Sequence, residues 1–117
     1  VFSVFLSNSD SETSDVTFGD VKQEQMASEL FWVPISLQNG YWEVQIDDII
    51  IGDQRAGLCK DCKVAVDTGT SQLGGPSALV DQLTDMLAVE DDCSNWDQLP
   101  NLGFIIGGGG MSGERRD

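Results

Sequence analysis

Short runs of β-branched and aromatic residues, broken every few positions by Gly, Asn, Asp and Ser, dominate the chain. Val1-Phe2-Ser3-Val4-Phe5-Leu6 predicts a strand that stops at the turn-rich Ser7-Asn8-Ser9-Asp10. Val16-Thr17-Phe18 predicts a second, closed by Gly19-Asp20; its expected partner is Phe31-Trp32-Val33-Pro34-Ile35, where Pro34 points to a sheet edge or strand end. In Tyr41-Trp42-Glu43-Val44-Gln45-Ile46 the apolar Trp42, Val44 and Ile46 alternate with polar residues, the period of a half-buried strand, and Asn39-Gly40 before it is a hairpin signal. Ile49-Ile50-Ile51, closed by Gly52-Asp53, predicts a separate strand buried on both faces, and Val64-Ala65-Val66 another short one. After Gly74-Gly75, Pro76 suits the first turn of a helix whose apolar stripe is Leu79, Val80, Leu83, Met86 and Leu87. Glu90-Asp91-Asp92 begins an acidic loop, and Leu102-Gly103-Phe104-Ile105-Ile106 reads as the last strand. Residues 107–117 lose all periodicity and are expected to be disordered. No internal repeat appears, and the fold class is mostly β with many short strands and one principal helix.

Composition narrows the chemistry. The 117 residues include 20 Asp plus Glu against 6 Lys plus Arg, three Cys and no His, for a formal charge of -14. That length gives one domain at most, or part of a larger one. Without an imidazole, Ser-His-Asp triads, Cys-His nucleophiles and HExxH zinc sites cannot be built from this chain. The negative charge repels a phosphate backbone and an anionic membrane surface, so no nucleic-acid partner is expected and acidic surroundings fit better. No apolar run approaches the roughly 20 residues of a membrane span, and no signal-peptide pattern opens the chain. Val1 sits directly in a strand-like run without a starting Met, so a fragment or processed piece is expected.

The chemically informative stretch is Asp67-Thr68-Gly69-Thr70-Ser71. A carboxylate follows an apolar strand and precedes a small-residue turn that lets backbone and ligand approach closely. This suits water activation by paired carboxylates. Two Asp side chains about 3 Å apart cannot both ionise, so one takes a proton from water while the other donates to a carbonyl oxygen. The bare tripeptide Asp-Thr-Gly is also compatible with a plain Asx-type turn after a strand.

The surrounding blocks resemble the C-terminal lobe of the pepsin-like aspartic peptidases. They are the opening strand, the Phe18-Gly19-Asp20 turn, Trp32-Val33-Pro34, Gly40-Tyr41-Trp42 leading to Asp47-Asp48, a Cys pair and the Asp67 loop. Gly75-Pro76 with its helix, Cys93-Ser94-Asn95, and Leu99-Pro100 leading to Ile106 follow in order. Residues 1–108 are covered as an incomplete lobe, leaving 109–117 as a disordered or non-family tail. The resemblance implies that Asp67 is one of two catalytic aspartates. Thr68 would bond the partner loop of the other lobe, and Gly69 and Thr70 would line the cleft, with Ser71 completing the loop. Tyr41 would stand beside the primed-side pockets, and Ala65 occupies a pocket position usually filled by something larger. Gln72 replaces the usual apolar residue after Thr-Ser, a change that would tune specificity. A second lobe, with its own Asp-Thr-Gly loop and a flap, is the implied partner alongside a protein or peptide substrate; no cofactor or metal is implied.

The resemblance further pairs Cys59 with Cys62, with two intervening residues instead of the family's three, and leaves Cys93 free. The competing reading of Cys59-x-x-Cys62 is a zinc or redox motif, which lacks enough Cys/His ligands for zinc and the βαβ setting for redox work. A disulfide implies the secretory pathway, with the protein secreted or held in an acidic vacuole- or lysosome-like compartment. Glu90-Asp91-Asp92 lacks the ligand spacing of a calcium loop, and residues 107–110 lack the Lys-Ser/Thr of a phosphate loop. Trp32, Trp42 and Trp96 read as core or cleft wall, not a base-stacking platform. The leading reading is therefore an aspartic endopeptidase acting on proteins at acidic pH. The alternatives are a catalytically inactive fragment or peptide-binding relative, and a homodimeric peptidase of retroviral type in which each chain supplies one aspartate.

Overall fold

The computed structural model describes residues 1–36, 40–107 and 109–112, the last four by their backbone alone. It divides into two units, Val1–Trp32 and Val33–Asp117.

In the first unit β1 (Phe2–Phe5) pairs antiparallel with β2 (Asp15–Phe18), setting Phe2 opposite Phe18 and Phe5 opposite Asp15. The Phe2 and Phe18 rings lie 6.4 Å apart between centroids, a cross-strand aromatic pair. The partner of β2 is thus β1, and Phe31 to Ile35 form no strand, correcting the expected pairing. Serine side chains make the closer hairpin possible. Ser14 Oγ accepts the Ser7 N–H at 3.0 Å, and the Ser7 hydroxyl donates to the Ser9 carbonyl at 2.9 Å. Beyond the hairpin, Asp15 accepts from Lys22 Nζ at 2.7 Å and Gln25 Nε2 at 2.9 Å, tying the 3-10 turn Gln23–Gln25 to β2.

The second unit is organised by β3 (Glu43–Ile51), a nine-residue strand. One edge of β3 pairs antiparallel with β6 (Leu102–Ile106). The other edge pairs antiparallel with β5 (Cys62–Ala65) at the start of β3 and with the short β4 (Gln54–Arg55) at its end. The sequence pattern splits this strand in two at Asp47-Asp48. The structure keeps it whole by a bulge: Ile46 faces Ile106 and Asp48 faces Ile105, so Asp47 is one residue extra. The insertion reverses the in-out alternation, which is why Ile46 and Ile49, three apart, are both in the core with Cys59.

The helix α1 (Ser77–Leu87) follows Pro76, whose carbonyl accepts the Leu79 and Val80 N–H groups. Leu79 and Leu83 pack on the core, whereas Met86 of the expected stripe is exposed. It is the one α-helix among the described residues; a second 3-10 turn covers Trp96–Gln98. The strand expected to be last, β6, is followed by β7 (Gly109–Ser112), which pairs Ile106 with Gly109 and Gly103 with Ser112. The tail expected to be disordered from 109 therefore begins as a strand. Glycine-rich backbone pairs through its N–H and C=O groups without needing an apolar period, which is why the pattern does not reveal it. Residues 113–117 of that tail, and Asn39 of the hairpin signal, lie outside the described residues. The architecture is mostly strands in sheets with one helix, as expected of a pepsin-like lobe.

Candidate active-site loop

Asp67 lies two residues past the end of β5, in the connection to α1. The β5 to β3 ladder continues beyond its last paired residues, with the Val66 N–H donating to the Trp42 carbonyl at 2.9 Å. Since Glu43 faces Ala65, this extension brings Tyr41 and Asp67 to the same end of the sheet. Tyr41 is 67% exposed, and Ala65, Asp67, Thr68, Gly69, Thr70 and Ser71 are all exposed as well.

The loop folds around its own carboxylate. Asp67 Oδ2 accepts from the Thr70 hydroxyl at 2.7 Å, Oδ1 accepts from the Gly69 N–H at 2.9 Å, and the Thr70 N–H reaches the Asp67 carbonyl at 3.4 Å. The Thr70 hydroxyl and then the Gly69 N–H hold the carboxyl below the usual range, outweighing the opposing effect of partial desolvation. A Cβ at Gly69 would stand 3.3 Å from Asp67 Oδ1, so a side chain there would crowd the carboxylate. Such a loop presents an ionised carboxylate with a fixed orientation on an exposed surface. Water activation of the dyad type requires a second carboxylate against it. Two surface depressions lie elsewhere, one of about 390 Å³ beside Thr17, Asp20, Lys22 and Glu24, and one of about 190 Å³ beside Val33, Pro34, Gln45 and Asp47.

Cys59 and Cys62 form a disulfide with their Cα atoms 5.5 Å apart, and Cys93 is a free, exposed thiol. The ring is closed by Asp61 in the left-handed region at φ 57°, its Oδ1 accepting from Gln45 Nε2 at 3.1 Å. One residue to which the sequence reading gives no role is Asp48, 5% exposed. Its carboxylate accepts from the N–H groups of Ile49 at 2.8 Å, Gly57 at 3.0 Å and Cys59 at 3.3 Å. Burial alone would raise its pKa, but these three donors and the Arg55 charge together hold it below the usual range. The available signal was a pair of acidic residues, Asp47 and Asp48, inside an otherwise apolar stretch from Ile46 to Ile51. Among the described residues no group of three His, Cys, Asp or Glu could hold a metal ion, and no helix is long and apolar enough to cross a membrane.

The family of eukaryotic aspartyl proteases matches residues 1–112. Pepsin A of Bos taurus is 34% identical over 116 residues, covering 92% of this chain and 31% of its own. Gastricsin of Homo sapiens is 35% identical over 118 residues and pepsin A of Sus scrofa 36% over 116, each covering 92% of this chain and 30% of its own. The match reaches 112, past the boundary expected at 108, and takes in β7. The chain spans about a third of the length of these relatives. It belongs to the eukaryotic aspartyl protease family.

Proposed function

We propose that this member of the family supplies one catalytic aspartate, Asp67, to an aspartic endopeptidase that cleaves internal peptide bonds of proteins in acid. The observation that carries the reading is the Asp67 loop itself, an exposed carboxylate oriented by Gly69 and Thr70 at the end of a strand. The reaction needs a second aspartate, supplied by a second lobe. One carboxylate of the dyad removes a proton from water, whose oxygen attacks the scissile carbonyl carbon; the other, protonated, donates to the carbonyl oxygen. Collapse of the tetrahedral intermediate breaks the C–N bond, and the leaving amine takes up a proton.

In this reading Thr68 bonds the partner loop, Gly69 and Thr70 border the substrate backbone, and Ser71 supports the loop. Tyr41 and Ala65 border the substrate side chains, an assignment supported by their lying at the Asp67 end of β3 and β5. The Cys59–Cys62 disulfide favours synthesis through an oxidising secretory route, and the charge of -14 favours an acidic destination.

The test uses the longer protein that joins this chain to a second Asp-Thr-Gly loop. Asp67→Asn keeps the shape but cannot exchange the shared proton. It should abolish hydrolysis of a denatured protein in acid, while a statine-type transition-state mimic still binds measurably. Turnover within a few fold of the unmutated protein would remove Asp67 from the mechanism.

A further inference from the structure

We propose that the Asp48 carboxylate and the Cys59–Cys62 disulfide act as one clamp, with Asp48 the positioning residue that sets Cys59 for oxidation onto Cys62. The inference stands on the geometry of the second unit and does not depend on the peptidase reading.

Among the described residues Asp48 is the one buried charged side chain. A charge in that position is costly unless several donors replace its water. The donors come from a segment that has just left the sheet. The last ladder bond of the β4 side runs from the Ala56 N–H to the Ile49 carbonyl, at 2.8 Å. Gly57, at φ 67°, then turns the chain away, where a side chain would be strained. From there the N–H groups of Gly57 and Cys59 have no ladder partner, and the two Asp48 oxygens take one each.

Cys62 is fixed independently, because it faces Ile46 in the β5 to β3 ladder. Both cysteines are thereby referenced to one strand, Cys59 through the side chain at 48 and Cys62 through the backbone at 46. β3 acts as a ruler that sets their Cα atoms 5.5 Å apart, inside the range a disulfide can bridge. Without the carboxylate, Cys59 keeps its packing against Ile46 and Ile49 but loses the hydrogen bond that ties its backbone to the ruler.

The step itself is a two-electron exchange. The Cys59 and Cys62 thiols are oxidised to the disulfide, while a small disulfide such as oxidised glutathione is reduced to two thiols that take up the two protons. The coupling is tested on the 117-residue chain in a Cys93→Ser background, so that one pair alone can form. The chain is equilibrated in glutathione buffers, quenched, and its oxidised fraction read by mass spectrometry. Asp48→Asn should lower the oxidation constant about tenfold or more. Leu83→Ala, which weakens the same core without touching the clamp, should lower it far less at equal loss of stability. Equal losses in the two variants would overturn the proposal, since folding alone would then account for both. A second measurement needs no change at Asp48. In the Cys93→Ser chain, reduction should cost the Ile49 and Gly57 amides at least about tenfold in hydrogen-exchange protection. Unchanged protection would overturn the clamp.

Discussion

Asp48 and Asp67 are both carboxylates held by N–H donors, yet one is buried and the other exposed, and this separates what protonation does to each. For Asp48 the folded pKa lies below the unfolded one, so its contribution to stability is fully present above the ordinary Asp value of about 3.9. That contribution is lost as pH falls through the lowered folded value. The urea midpoint of the chain should therefore stay level from neutral pH down to about pH 5 and fall in stronger acid. Asp48→Asn should cost about 1–3 kcal/mol near neutrality, because an amide oxygen cannot serve all three donors. It should also flatten the acid limb of the curve, and an unchanged limb would take Asp48 out of the acid response. At Asp67 the readout is the titration itself. Thr70→Val removes the strongest donor to the carboxylate and should move the Asp67 titration upward, followed by carboxyl carbon chemical shifts. A titration that stays put would mean the hydroxyl bond does not persist in solution.

Elements carry the next level of specification, and α1 shows how little of its stability is local. Pro76 gives its N-terminus no side-chain cap, its first turn has no acid and its last no base. It is held by Leu79 and Leu83 against the core. Its C-cap, Ala88, sits in the left-handed region at φ 51° and ψ 45°, with its N–H on the Thr84 carbonyl, a conformation that favours glycine. Ala88→Gly should therefore stabilise the chain by about 0.5–1 kcal/mol, read as a higher urea midpoint, whereas the same change inside the helix at Ala78 should destabilise it. The periodicity of Leu79, Val80, Leu83 and Leu87 makes this helix legible in the sequence, and β-branched runs do the same for β1, β2, β5 and β6. The single strand β3 was not legible as one element, because a bulge at Asp47 breaks the period-two pattern that would reveal it. The β1 to β2 pairing depended on serine side chains closing the loop, and β7 on backbone hydrogen bonds alone. At the site, the spacing of the Asp67 loop was readable from small residues after an apolar strand. The role of Asp48 was not, since it exists only once Gly57 and Cys59 are brought back to β3.

On the scale of the whole chain, burial is scarce. The buried apolar residues among those described are Ile46, Ile49, Cys59 and Ile105, all in the second unit, and none of Val1–Trp32 is buried. Phe18, Trp32, Tyr41 and Leu73 meanwhile are each at least 65% exposed. Apolar exposure of this kind marks surfaces that other protein covers, or that aggregate when nothing does. Catalysis poses the same problem of incompleteness, because the 117 residues contain one Asp-Thr-Gly, Asp67 to Gly69, and a proton-sharing dyad needs two carboxylates about 3 Å apart. The Asp67 carboxylate is instead occupied by donors from its own loop, which stabilise the ionised form and do not supply the second acid. The isolated chain is therefore expected not to hydrolyse peptides. Self-association would supply a second Asp67, but bringing two exposed, ionised carboxylates together opposes their charge unless one takes a proton. The assay is cleavage of a denatured protein by the purified chain between about pH 3 and 6, over a range of chain concentrations and with a statine-type inhibitor as control. No inhibitor-sensitive cleavage is the expected result. Cleavage that the inhibitor stops and that rises with the square of chain concentration would instead mean that two copies assemble one dyad, and would put the homodimeric peptidase in place of the two-lobed one.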